Sequence, residues 1–252
     1  MKIISFNVNG IRAAISKNLS EWIKSANPDV VCFQELKANS EQFDSKIFQD
    51  LGYECFWFPA QKKGYSGVGI ISKTVPKNIT FGCGIEKYDS EGRILRLDFE
   101  DFSVMSVYVP SASNIERLDF KLEFCDYFLD YIKTLQTEIP NLVICGDFNI
   151  CHEAIDIHDP VRLKNVSGFL PIEREWMTNF INNCELTDTF RYFNNEPNQY
   201  TWWSYRQNAR AKNLGWRLDY HFVTKTLENR LKRSVILNEV YMSDHCPVLL
   251  EF

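Results

Sequence analysis

Residues 142–152, LVICGDFNICH, decide how the chain is to be read. Leu142 to Cys145 is a short apolar run of the kind that forms a buried strand. It gives way at once to Gly146, Asp147 and Asn149. Side chains two apart on an extended segment share a face, so Asp147 and Asn149 are expected to look out together where a sheet ends. Taken alone, the pair fits two readings: an Asx turn that closes a strand, or one corner of a site.

The same pattern recurs along the chain. KIISFNVN places Asn7 and Asn9 on one face at a strand end, and DVVCFQE runs into Gln34 and Glu35. SVMSVYVPS ends on Tyr108 before a proline, and GWRLDYHF carries Asp219 among aromatics. YMSDHCPVLLEF sets Asp244 and His245 just ahead of the last apolar run. A lone polar residue at a strand end is usually a cap. Six strand ends carrying Asn, Glu, Tyr, Asp/Asn, Asp and Asp-His point instead to a site gathered from several strands.

Between these runs lie helical segments. Leu19 to Ala26 follows Asn18 as a cap. Ile115 to Thr137 puts Leu118, Leu122, Cys125, Leu129 and Ile132 on one stripe, and Arg174 to Asn183 makes a third helix. GVGIIS, ILRLDF and RLDYHFV add strands, and Asp101 is expected in the tight turn of a hairpin over LRLDFEDFSVMSVYV. Some strands sit in hairpins and others alternate with helices. The expected fold class is therefore an α/β sandwich, two packed mixed β-sheets with helices outside. No repeat, low-complexity tract or linker breaks the 252 residues, so a single domain over 1–252 is expected.

Composition narrows the function. Hydrophobic content of 45% and charged content of 24% are those of an ordinary globular chain. MKIISFNVNGIRAAI reads as a first strand rather than a secretory leader. No run approaches the ~20 apolar residues of a membrane span. The eight cysteines show no CxxC spacing, and several sit inside apolar runs such as VVCF and VICG. That pattern fits buried free thiols in a reduced cytoplasm and argues against a disulfide framework or a zinc site. A net charge of −5 gives no global attraction to a polyanion, so such a substrate needs locally clustered bases or a bound cation.

Oxygen donors without cysteine clusters suit Mg²⁺, with Mn²⁺ able to substitute. Glu35, at the mouth of a buried strand, is the best direct ligand candidate. Asp219 is placed to orient the His245 ring and stabilise its charged form. A metal, an acid–histidine pair and an acid/amide pair make a machine for hydrolysing a phosphodiester with an activated water. No GxSxG, GxxxxGK[ST] or GxGxxG element is present, which removes support for acyl transfer and nucleotide-cradling chemistry.

FNVNGIRA, QELK, YVPS, GDFNICHEAIDI, TWWSYRQNARAKNLGWRLDYHFV and SDHCPV occur in that order across nearly the whole chain. In this they resemble the exonuclease III-type apurinic/apyrimidinic (AP) endonucleases of the endonuclease/exonuclease/phosphatase superfamily. The QE, GDxN and SDH pieces are common to that superfamily, whereas the NARxKNxGWRLDY block is typical of its DNA-repair branch. The resemblance implies a deoxyribonuclease-I-like four-layered sandwich and Mg²⁺-dependent incision 5′ to an abasic site, leaving a 3′-hydroxyl and a 5′-deoxyribose phosphate. It also implies 3′-phosphodiesterase, 3′-phosphatase and 3′→5′ exonuclease side activities in base excision repair.

The resemblance assigns roles as well. Glu35 would coordinate the ion, with Asn7 close by and Asp244 beside it; Asp147, Asn149 and His245 complete the residues around it. Asp147 would align or deprotonate the attacking water, Asn149 would hold that water or a phosphate oxygen, and His245, oriented by Asp219, would meet the scissile phosphate. Tyr108 would hydrogen-bond the phosphate, and Asn9 would contact substrate. Trp202, Trp216 and Leu218 fall where the family forms an apolar slot for a flipped-out sugar without a base; core packing is the competing account of these residues. Arg206, Arg210, Lys212 and Arg217 make a local basic cluster able to meet DNA phosphates. Lys62 and Lys63 belong either to a DNA-backbone loop or to a plain surface loop. The chain departs from the pattern at Ser111, where many members have Asn or Gln, and at Ser113 and Asn114.

The implied partner is double-stranded DNA carrying abasic sites or blocked 3′ ends, bound by a monomer away from membranes. Two rivals remain. A sphingomyelinase or inositol-polyphosphate phosphatase would show no preference for abasic DNA. A non-catalytic binding module would have lost one or more of Glu35, Asp147, Asp219 and His245, and all four are present.

Overall fold

The computed structural model describes residues 1–252, the side chain of Ile115 excepted. Two six-stranded mixed sheets form the centre. In the first, the neighbours run Arg233–Ile236, Val248–Glu251, Lys2–Asn7, Val30–Gln34, Val68–Ser72, Glu54–Phe58. In the second they run Asn78–Phe81, Ile94–Asp98, Ser103–Tyr108, Leu142–Asp147, Asp219–Thr224, Leu186–Asp188. Each sheet holds one parallel pair near its middle: 2–7 with 30–34, and 103–108 with 142–147.

Alternation along the strands sorts the core into layers. Ile3, Val30, Cys32, Val68 and Leu250 from the first sheet meet Leu95, Leu97, Val104, Val143 and Val223 from the second. The opposite faces of the same strands, with Ile4, Phe6, Val31 and Phe33, pack under the short helices Ile11–Ser16 and Leu19–Ala26. On the other side, the helices Leu118–Gln136 and Pro171–Asn183 cover Met105, Ile144, Phe148 and Phe222. Helix, sheet, sheet, helix is the four-layered arrangement expected from the sequence.

The expected strands are present, and Glu100 and Asp101 do turn the hairpin, closed by Phe99 N–H donating to Phe102 O at 2.9 Å. Several details differ. Asn18 precedes the 19–26 helix, but its side chain caps nothing and its φ is 66°. The helix expected to begin at Ile115 is a 3₁₀ turn over Ile115–Arg117 followed by an α-helix from Leu118. Its buried stripe is Lys121, Phe124, Cys125, Phe128 and Ile132, while Leu118, Leu122 and Leu129 are only half-buried. The aromatic rings outcompete the leucines for the sheet. Strands Glu54–Phe58, Asn78–Phe81, Leu186–Asp188 and Arg233–Ile236 are additions to those expected. All eight cysteines are free, and six are buried. Among the described residues, no helix is long and apolar enough to cross a membrane.

Candidate active site

The four strands of the two parallel pairs end at one edge of the sandwich, and the antiparallel strand 219–224 begins there. Register places Asp147 directly opposite both Tyr108 and Asp219. Gly146 makes this possible. A Cβ there would lie 1.8 Å from Val107 O, so only glycine lets the 142–147 strand approach its neighbour so closely at a φ of 153°.

Past the strand ends the chain enters left-handed backbone at three residues of the expected site: Asn9 at φ 45°, Glu35 at 55° and Asn149 at 52°. Asn149 thus faces Asp147 by a turn, and not by the strand alternation expected from the sequence. Its N–H donates to Asp147 Oδ1 at 2.8 Å and its amide donates to Val109 O at 2.9 Å. Asn9 repeats the device, its N–H donating to Asn7 Oδ1 at 3.0 Å. Asx turn and site corner are one structure here, with the turn presenting the side chain.

Asp147 is the hub. Asn7 Nδ2 donates to its Oδ2 at 2.8 Å, and His245 Nε2 stands 3.8 Å from the same oxygen. His245 Nδ1 is 2.8 Å from Asp219 Oδ2. Burial raises the Asp147 carboxyl to about 7; His245 pulls it down and Asp219 pushes it up. Burial also opposes charge on His245, yet Asp219, Asp147 and Asp244 outweigh it and bring the imidazole up to about 10. Thr201 Oγ1, in a residue that the sequence motifs do not single out, accepts the N–H groups of Leu218 and Asp219 and seats that strand start.

Tyr108 donates its hydroxyl to Glu35 Oε1, and Glu35 Oε2 is 3.4 Å from Lys37 Nζ. Burial, then the charges of Glu35 and Asp147, push the Tyr108 phenol well above its usual value, so it remains a donor. Asn9 Nδ2 and Trp202 Nε1 bind the two oxygens of Asp244 at 2.8 and 3.0 Å. Burial raises the Asp244 carboxyl, but His245 and these donors hold it below the ordinary range.

Polar atoms of Asp147, Asp219 and His245 lie within 4.8 Å of one another; with the imidazole protonated, the carboxylates are what this cluster can offer a metal ion. Asp219 Oδ1 in it is buried with no hydrogen-bond partner. Glu35 and Asp244 stand outside that cluster. With the protonated imidazole set aside, the wider donor set is all oxygen, the chemistry of a hard divalent cation.

One cleft of about 630 Å³ joins Asn7, Asn9, Glu35, Tyr108, Asp147, Asn149, Asp244 and His245 to Trp202, Trp216 and Leu218. Trp202 meets Trp216 edge-on with ring centres 6.0 Å apart, and Leu218 lies beneath with Phe169 and Ile157. Gly168, at φ +94°, closes the wall; a Cβ there would lie 3.0 Å from the Trp216 ring. Trp203 is core.

The basic cluster does not form as expected. Arg210 donates to Ser243 O, Asn238 O and Val240 O and lies between the Trp203 and Tyr241 rings. Arg217 is buried against Asp156 and Asp188. Both serve the fold, because carbonyls and carboxylates inside the protein claim their donors. Arg206 and Lys212 remain exposed and lie outside the cleft lining. The cleft lining instead includes basic residues that no sequence motif marked. Arg93 donates to Tyr108 O and Tyr65 Oη and pairs with Glu91; Arg117 pairs with the same Glu91. Ser111, Ser113 and Asn114 also line the cleft.

A model of the Endonuclease/Exonuclease/phosphatase family matches residues 4–245. The chain belongs to this family. It is 40% identical over 253 residues to an exodeoxyribonuclease of Bacillus subtilis (strain 168), covering 99% of this chain and 98% of that one. It is 39% identical over 253 residues to the DNA-(apurinic or apyrimidinic site) endonuclease of Dictyostelium discoideum, covering 98% and 69%. Among solved structures, a 3′ phosphatase, NExo, from Neisseria bound to product DNA hairpin superposes with a TM-score of 0.93 at 28% identity, covering 100% and 99%. Membership makes this chain a hydrolase of the exodeoxyribonuclease and AP-endonuclease type.

Proposed function

We propose that the chain is a Mg²⁺-dependent DNA-repair phosphodiesterase that incises duplex DNA 5′ to an abasic site, acting as a monomer in the cytoplasm. The observation that carries this reading is the single cleft in which the Asp147 hub adjoins the slot of Trp202, Trp216 and Leu218. A base-free sugar swung out of the stack fits an apolar slot that offers few polar partners, and an abasic nucleotide leaves the stack at least cost. 3′-Phosphodiesterase, 3′-phosphatase and 3′→5′ exonuclease activities use the same hydrolytic centre on DNA ends.

Asp147, with its raised pKa, accepts the proton of the attacking water, and Asn149 holds that water or a phosphate oxygen. His245, kept charged by Asp219, meets the phosphate as negative charge develops. Tyr108 donates a hydrogen bond to the same group. Glu35, with Asp147 and Asn7 beside it, supplies the oxygen donors for Mg²⁺. When bound, the ion neutralises phosphate charge. The water oxygen bonds to phosphorus, the bond to the 3′ oxygen of the upstream nucleotide breaks, and that oxygen takes a proton from solvent, leaving a 3′-hydroxyl and a 5′-deoxyribose phosphate. Arg206 and Lys212 meet backbone phosphates outside the cleft, a reading supported by their exposure on the 204–214 segment.

End-group analysis of the cleaved strands tests the reading. A 3′-hydroxyl that primes a polymerase directly is expected. A 3′-phosphate or an unsaturated sugar end would overturn it.

A further inference from the structure

The α-helix Leu118–Gln136 sends one lysine into the core. The Lys121 side chain is 1% exposed and its Nζ pairs with Glu173, itself fully buried at the start of the Pro171–Asn183 helix. A buried ion pair is a poor stabiliser, because desolvation offsets most of the attraction. This one is tied to its surroundings by directed hydrogen bonds. Lys121 Nζ also donates to Asn149 O at 2.8 Å. Glu173 Oε2 accepts from Gly168 N at 2.6 Å and Leu170 N at 2.9 Å, and Oε1 accepts from Ser167 Oγ at 3.3 Å. Gly168 O in turn accepts from Cys151 N at 2.7 Å.

These bonds end on two pieces of the active site that are separate in sequence. One is the left-handed Asn149, whose conformation presents its side chain beside Asp147. The other is the Ser167–Gly168 wall against Trp216. Lys121 reaches the first and Glu173 the second. We propose that the buried Lys121–Glu173 pair is a positioning device that holds Asn149 in place for catalysis and couples it to the wall of the apolar slot.

The role assigned to Asn149 rests on the proposed function; the coupling itself rests on the hydrogen bonds. Neither residue reaches substrate. Each is a positioning residue, felt through the backbone it fixes.

The double variant Lys121→Met/Glu173→Gln removes both charges, so no lone charge is stranded in the core. Lys121→Arg keeps the donor. On a duplex carrying a tetrahydrofuran abasic analogue, the double variant is expected to lose about tenfold or more in kcat with KM within about threefold, as small displacements of a reacting geometry do. Lys121→Arg is expected to recover most of the rate. In the free protein, amide hydrogen exchange in 147–151 and 166–170 should speed up together while the strand 30–34 stays protected. Exchange unchanged in either segment overturns the coupling. So does a kcat that holds, or one that falls only together with protection across the whole chain. The exchange arm needs no substrate, so it decides the coupling even if wild-type protein shows no preference for the analogue, a result that would strike the proposed function alone.

Discussion

His245 lies between two carboxylates, with Nδ1 at 2.8 Å from Asp219 and Nε2 at 3.8 Å from Asp147. The pair gives the imidazole a fixed orientation and keeps its proton. Replacing Asp219 with Asn removes the largest favourable charge on the ring. The expected result is a loss of about a hundredfold or more in kcat. The pH profile should change as well. Wild-type rate should rise as Asp147 deprotonates, with its acid limb at or below about 7, and hold until His245 loses its proton near 10. In Asp219→Asn the alkaline limb should move to lower pH. A pH–rate series on both proteins checks this; an unmoved alkaline limb would contradict the assignment.

Trp216 stands half-buried between Trp202, Leu218 and Gly168. Trp216→Ala should slow incision at the tetrahydrofuran analogue by about tenfold or more while trimming of an intact duplex changes far less, since only the former fills the slot. Rates and Tm falling together on both substrates would mark the ring as packing alone.

Arg210 and Arg206 sit four residues apart and should behave oppositely. Arg210 has its donors on three carbonyl groups and two aromatic faces, so Arg210→Ala should cost about 2 kcal/mol of stability. Arg206→Ala should leave Tm unchanged and reduce the salt slope of DNA binding by about one. Thermal melting and binding across a salt series separate the two.

Asp156 is fully buried and bonded to Arg191 and Arg217. Burial alone would raise its carboxyl, but the two guanidinium groups lower it from 3.8 to about 2. A depressed acid stabilises fully above its unfolded value, so this contribution is complete above about pH 4 and is lost as pH falls through about 2. Asp156→Asn leaves Arg191 without its carboxylate and Arg217 with Asp188 alone, and should cost about 3–5 kcal/mol. Acid titration of Tm should show the wild-type advantage shrinking toward pH 2.

The polar strand ends were legible because capping alone does not make apolar runs stop, strand after strand, on residues such as Asp147, Glu35 and Asn7. The two-sheet frame follows from the number of those runs. Asn149 was placed correctly for an incomplete reason. Strand alternation suggested the position, whereas a left-handed turn that Asn tolerates is what sets it. Arg210 and Arg217 misled because sequence records a charge and not its partner. The opposite holds at Lys121. It shares a helix face with Phe124, Cys125 and Phe128, and a lysine in an apolar stripe is itself a signal of a buried partner. The Asn78–Phe81 edge strand, exposed at three of its four positions, carries no periodic pattern to find.

Cleavage of a labelled duplex carrying one tetrahydrofuran abasic analogue, beside an intact duplex, with Mg²⁺ and with EDTA, shows whether the chain is a metal-dependent abasic-site endonuclease. Rapid incision 5′ to the analogue that EDTA abolishes, with only slow trimming of the intact duplex from its 3′ end, is the expected result. Cleavage that ignores the analogue, or that persists in EDTA, would contradict it.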